Sequence, residues 1–276
     1  MLSLGDIVRK TQPSLFWSMR GLKKAKREAI YTLFAFCRHL NQLIHADMTD
    51  DEKKELLNSW QEELNNIYDK KVPATNIGRK IYKNCLRFNL PKQCWLDILH
   101  STFLNTPYPL QAPEREVFEQ YVHGASIMPF QLALMIIDNT HPKVNMELAH
   151  NLGLSTMITY ILRDIKEDAE EGYFYIPQDI LQQSGVKIST PHHMIENNNL
   201  PTARKLLSEI ADKSFAKSSR LLSKMNKTDT QMFRLINNIS RCYFEQMQRR
   251  GWEIMSPKPK ISWLKNLKII NTTLFK

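Results

Sequence analysis

The residues with the most chemistry to offer stand between positions 152 and 179, in LGLSTMITYILRDIKEDAEEGYFYIPQD. There a long apolar run ends in five acids: Asp164, Glu167, Asp168, Glu170 and Glu171. A helix advances about 100° per residue, so Asp164 and Asp168 fall roughly 40° apart on one face, with Glu167 beside them. Carboxylates stacked one turn apart beside an apolar wall suit a hard cation such as Mg²⁺, which takes oxygen ligands and is often shared with substrate phosphates. An acidic helix end that is merely solvated has the same appearance, because charge runs are usually surface faces.

The elements that must position this cluster read as helices throughout. Apolar residues recur at helical spacing over 23–46, where Ile30, Leu33, Phe34, Cys37, Leu40 and Ile44 share a face. They recur over 50–69 behind Thr49 or Asp50 as a cap, and over 75–88. A helix over 91–104 begins with Pro91 at its first position. After the proline-rich loop 105–113, a helix from 115 is broken or kinked near Pro129 and runs on to 138. The acidic cluster ends a helix over 145–170. A helical turn at 179–184, a polar loop at 187–201 and helices over 201–225 and 229–249 complete the body. With no linker, repeat or low-complexity stretch, residues 1–276 read as one all-α domain, with 252–276 as a basic tail.

Composition removes several alternatives. Only 8 of the 276 residues are glycine and no segment alternates with period two, which argues against sandwiches, barrels and dinucleotide-binding sheets. Phosphate-loop motifs, nucleophile elbows and the HExxH zinc motif are absent. His192 and His193 are adjacent in a loop, and His39 and His45 lie six apart on one helix, so neither pair converges as metal ligands. The four cysteines, Cys37, Cys85, Cys94 and Cys242, form no CxxC pair and read as reduced thiols of a reducing compartment. No run reaches the roughly 18 apolar residues that span a bilayer, and Asp6 and Arg9 interrupt the start too early for a secretion signal. The expectation is a cytoplasmic protein, or one peripheral on the cytosolic face of a membrane. A net charge of +10 implies an acidic partner. The basic residues are spread over every helix with no recognition motif, so nucleic acid is not expected.

Two segments resemble a known family. ILRDIKEDAEEGYFYIPQD at 161–179 is similar to the second aspartate-rich motif of the squalene/phytoene synthases, LRDxxEDxxxGRxYLPxD. REAIYTLFAFCRHLNQLIHAD at 27–47 is similar to the first, RRxALYALYAFCRxxDDxxDE. The opening SLFWSMRGL and the ending RRGWEIMSPKPKISWLKNLKI resemble the bacterial presqualene diphosphate synthases in particular. The resemblance implies an all-helical isoprenoid synthase fold with a central cavity. Two acidic motifs face one another across it, and Mg²⁺ holds the diphosphates of two prenyl donors, such as farnesyl diphosphate. One donor ionises, the metals and basic residues stabilise the departing diphosphate, and the cation meets the other donor's double bond. On this resemblance Asp164, Glu167 and Asp168 fall at metal-ligand positions. Asp164, Asp168, Arg38, Tyr121 and Tyr175 take catalytic ones. Arg38, Arg163, Phe34, Asn41, His45, Met157 and Tyr160 take substrate-binding ones.

The first motif departs from the family pattern. Its three aspartate positions hold Asn41, Gln42 and His45. Asp47 falls roughly 200° around the helix from His45, and Asp50 and Asp51 lie beyond the helix end, so none replaces them. Phe34 stands for a tyrosine, Met157 and Tyr160 for a glutamine and an asparagine, and Tyr173 for an arginine. Leu104-Asn105 stand for a Met-Asp pair, and Ile127 and Phe130 for smaller residues. These departures gather where the family touches diphosphate, while packing positions are kept. The expectation is therefore a protein that binds one isoprenoid diphosphate, with Mg²⁺ at Asp164 and Asp168 only, and has lost condensation. The alternatives are an active head-to-head prenyltransferase and a helical scaffold or assembly subunit with a protein partner. In the tail, Trp252, Trp263, Leu264, Leu267, Ile269 and Ile270 interleave with Lys258, Lys260, Lys265, Lys268 and Lys276. This pattern suits either an anionic membrane surface or a basic helix packed on the body.

Overall fold

The computed structural model describes residues 13–274 except 107 and 255; Asp6 and Arg9 of the N-terminus and Lys276 of the tail lie outside the described residues. Thirteen α-helices are described: α1 Pro13–Ser18, α2 Lys24–Ile44, α3 Asp50–Asn65, α4 Asn76–Phe88, α5 Lys92–Phe103, α6 Arg115–Val122, α7 Met128–Ile137, α8 Pro142–Glu170, α9 Gln178–Ser184, α10 Pro191–Ile195, α11 Leu200–Ser223, α12 Lys227–Arg249 and α13 Trp263–Leu274. Two π-helical turns, Asn66–Lys70 and His123–Ile127, extend α3 and join α6 to α7. Among the described residues the only β pairing is an isolated parallel bridge between Gln111 and Phe174.

Local chemistry explains the helix starts. Thr49 and Glu52 form a reciprocal capping box at α3: the Glu52 N–H donates to Thr49 Oγ1 at 3.3 Å and the Thr49 N–H donates to Glu52 Oε2 at 2.8 Å. Pro91 stands at the cap of α5 rather than at its first helical position, in an extended conformation that proline adopts readily. The polar stretch 187–201 holds the short helix α10, capped by Thr190. The expected break near Pro129 is a π turn instead. The wide turn lies just before the proline, so the chain passes from α6 to α7 without interruption.

The 29-residue α8 is the axis of the molecule, and α7, α11 and α12 pack around it. Ser155, Thr156 and Thr159 are buried within it, and Ser155 and Thr159 return their hydroxyls to carbonyls one turn back at 2.8 and 2.7 Å. Gly153 lets the π turn press against α8: a Cβ there would lie 2.8 Å from Ile127 Cα. Ile127 is thus packing against the central helix, and Phe130 tilts on Phe233 with ring centroids 6.2 Å apart. Arg204 of α11, 2% exposed, donates to the carbonyl of Leu162 at 2.7 Å and to that of Trp252. It therefore clamps the start of the tail to the acidic helix. No helix of the described residues is long and apolar enough to cross a membrane.

Candidate active site

A cavity of about 400 Å³ opens between α2, α5, α6, the second π turn and α8, within the usual range for small-molecule sites. Phe34, Cys37, Leu40, Ile44, Ile98 and Met157 make its walls largely apolar; Arg38, Asn41, Ser101, Thr102 and Tyr121 supply polar groups. Five of the residues expected from the sequence, Phe34, Arg38, Asn41, Tyr121 and Met157, are thus brought together.

The second motif sits beside this cavity, at the C-terminal end of α8, and an aromatic ladder joins the two. Tyr121 stacks on Tyr175 with centroids 5.0 Å apart, Tyr175 stacks on Tyr173 at 5.8 Å, and His45 meets Tyr173 edge-on at 6.0 Å. The backbone fixes this geometry. Past α8 the chain turns at Gly172 (φ +88°), where only glycine sits without strain. The Tyr173 N–H donates to the Asp168 carbonyl at 2.8 Å, while Phe174 pairs with the loop after α5 through the Ala112 N–H at 2.7 Å and the Leu110 carbonyl at 2.8 Å. Burial pushes the Tyr121 phenol up to about 12. Burial raises Tyr175 further, helped by the adjacent Tyr121 and, less, by the charge of Asp168, so both phenols stay protonated.

The acids themselves are already occupied. Arg163 holds Asp164 in a two-point contact, Nε to Oδ1 at 2.9 Å and Nη2 to Oδ2 at 2.6 Å. The same guanidinium lies against the rings of both Tyr160 and Tyr243, 4.6 Å from each centroid, the two rings meeting edge-on. Arg163 and Tyr160 therefore brace the carboxylate instead of lining the cavity. Lys258, from the tail, places its ammonium 3.0 Å from Asp164 Oδ1 and 3.0 Å from Glu167 Oε1. Burial works to raise the Asp164 carboxyl, yet the Arg163 guanidinium and the Lys258 ammonium together hold it below the usual range. Asp168 gains less: burial and the charges of Asp164, Glu171 and Glu167 push it up to about 7, and the Lys258 charge offsets only part of this. His45 faces Glu171, Nδ1 to Oε2 at 3.3 Å, so the two motifs do meet, through a histidine and the last acid of the cluster.

As arranged, these residues do not fit a bound metal. Among the described residues no group of three or more His, Cys, Asp or Glu side chains could hold one. Both oxygens of Asp164 and one of Glu167 face guanidinium or ammonium donors. Lys258 answers Asp164 Oδ1 and Glu167 Oε1, while the raised Asp168 carboxyl and the buried Oε2 of Glu167 are left without a hydrogen-bonded cation. Asn41 and His45 add no carboxylate from the opposite helix, and Gln42, exposed, is not among the residues lining the cavity.

Sequence reasoning missed Lys258, Glu171 and Tyr243 as members of this site. Lys258 is separated from Asp164 by 94 positions and reads as one more tail lysine. The prolines on either side of it, Pro257 and Pro259, are the one local sign that its backbone is held.

Residues 8–265 match the squalene/phytoene synthase family. The chain belongs to that family. Its relatives include the presqualene diphosphate synthase of Sinorhizobium fredii, 26% identical over 83% of this chain and 80% of the relative. The presqualene diphosphate synthase of Zymomonas mobilis is 24% identical over 90% and 84%. A crystallised dehydrosqualene synthase superposes with a TM-score of 0.82 at 20% identity, covering 98% of this chain and 93% of that one. A squalene synthase from Alicyclobacillus acidocaldarius superposes with a TM-score of 0.75 at 17% identity over 91% and 94%. The all-α isoprenoid synthase fold expected from the sequence is the fold found.

Proposed function

We propose that this squalene/phytoene synthase family protein binds one isoprenoid diphosphate and does not condense two. The prenyl chain lies along the apolar wall of Phe34, Leu40, Ile44 and Met157, with Arg38 and Tyr121 presenting a guanidinium and a phenol to the diphosphate. The observation that carries this reading is the first motif: Asn41, Gln42 and His45 offer no carboxylate, and His45 is spent on Glu171. Amides ligate Mg²⁺ without charge to offset its dehydration. Metal bridging contributes several kcal/mol of transition-state stabilisation, and each ~1.4 kcal/mol is about tenfold in rate. Losing one of two such clusters thus removes many orders of magnitude from a reaction that must ionise one donor and hold another. The Mg²⁺ expected at Asp164, Glu167 and Asp168 has to contend with Lys258 for the same oxygens.

A second reading, an active head-to-head prenyltransferase, is favoured by the retention of Arg38, Tyr121 and Tyr175 beside the cavity and by the resemblance to presqualene diphosphate synthases over most of the chain. Incubation of the purified protein with farnesyl diphosphate and Mg²⁺, followed by product analysis, separates the two. Turnover that Asp164→Ala abolishes sinks the binding-only reading. Without product, calorimetry with a thio-analogue of farnesyl diphosphate is expected to show one site per chain. No binding at all would leave a scaffold.

A further inference from the structure

The tail closes with α13, a helix whose two edges differ. One edge packs on the body: α13 touches α12 and α1, Thr273 is 4% exposed, and its Oγ1 accepts from Asn238 Nδ2 at 3.0 Å. The other edge is apolar and bare. Trp263 is 70% exposed, Leu264 62% and Leu267 53%, and on a helix these three span roughly 100° of arc. Lys268 and Lys265, both exposed, follow that arc on its Leu264 side, roughly 40° and 100° beyond Leu264. Positions 254–276 carry five lysines and no acid.

We propose that this edge of α13 docks on an anionic lipid bilayer surface. A tryptophan and two leucines enter the interface, and the lysines along one border of the arc keep their stems against the apolar layer and their ammoniums among the headgroups. Anionic lipid is the occupant because it supplies what both parts of the edge need, an apolar layer under a negative surface. A second copy of this chain would set two acid-free, lysine-rich segments against each other, which like-charge repulsion opposes. The anchoring is peripheral, since the described residues contain no helix able to cross a membrane.

The test is co-sedimentation of the full chain with vesicles of phosphatidylcholine alone and of phosphatidylcholine with phosphatidylglycerol. Partition onto the anionic vesicles is expected to exceed that onto the neutral ones by about tenfold or more, to fall as salt is raised, and to blue-shift tryptophan emission. Trp263→Ser with Leu267→Ser, and separately Lys265→Glu with Lys268→Glu, should each lower anionic partition by about tenfold with unchanged circular dichroism. The lysine pair projects into solvent and keeps the test valid if the serine pair disturbs folding. Absent or charge-indifferent partition, a lysine pair that binds like wild type, or a dimer in sedimentation velocity that the serine pair dissociates would each overturn the proposal.

Discussion

Nζ of Lys258 lies 3.0 Å from Oδ1 of Asp164, the first acid of the second motif, and bridges from there to Glu167. A single ammonium thus spans two of the three carboxylates expected as metal ligands, Asp164 and Glu167, and leaves Asp168 uncontacted. Burial acts to lower the Lys258 amine, but its contacts with Asp164 and Glu167 raise it above its ordinary value, as expected of a cation held by two acids.

Lys258→Ala should therefore open the second motif to metal. With the ammonium gone, Asp164 keeps only Arg163, and Glu167 faces Asp168 uncompensated. The lysine is partly exposed, so the stability loss is modest, about 0.5–1 kcal/mol at low salt. Affinity for Mg²⁺ should rise by about tenfold, because the competing cation has been removed. Calorimetric titration of both proteins with magnesium chloride checks this; equal affinities would show that Lys258 does not guard the site.

The contact between His45 and Glu171 gives a second prediction. His45→Asp restores a family carboxylate but places it against an acid already 3.3 Å from the ring. Both side chains are about half exposed, so the repulsion costs only about 0.5 kcal/mol, or about 1–2 °C in melting temperature. Millimolar Mg²⁺ should recover that loss in the variant and leave wild type nearly unmoved. A thermal melt with and without the metal decides it, and an identical response of the two proteins would contradict the prediction.

Asp168 makes stability depend on pH. Its carboxyl titrates near 7 in the fold, raised first by burial and then by Asp164, Glu171 and Glu167, against about 4 in an unfolded chain. Between these values the folded state holds the extra proton, so its contribution to stability falls as pH rises from 4 to 7 and levels off above. Asp168→Asn keeps the shape without the charge. It should match wild type near pH 4 and exceed it by about 1–3 kcal/mol at pH 8. Urea denaturation across that range measures the gap, and a gap that stays constant with pH would count against it.

Much of this was legible in the chain. Helices α2, α4 and α12 begin and end within two residues of the spans set by their apolar spacing, because burial of one face dictates both. The π turns left no trace: a widened turn conserves the hydrophobic face, and Pro129 reads equally as a break or as its neighbour. Helix α10 hid in a polar stretch, since five residues are too few to show a period. At the site, Arg38, Asn41, Tyr121 and Met157, expected from motif position, line the cavity. Arg163 and Tyr160 lie at the motif but are turned to brace Asp164, with Tyr243 against the same guanidinium. Ile127 and Phe130, which stand for smaller residues, pack against Gly153 and Phe233. What spacing cannot reveal is a partner from elsewhere in the chain: nothing near position 164 announces a lysine at 258.

That lysine differs from a metal ion in one respect that geometry alone implies. It is tethered. A free ion reaches the acidic face only as its concentration in solution permits, and a chelator removes it; an ammonium carried on the same chain stays at an effective concentration in the millimolar range whatever the medium holds. The ammonium that balances Asp164 and Glu167 at the end of α8 is thus inherited with the polypeptide.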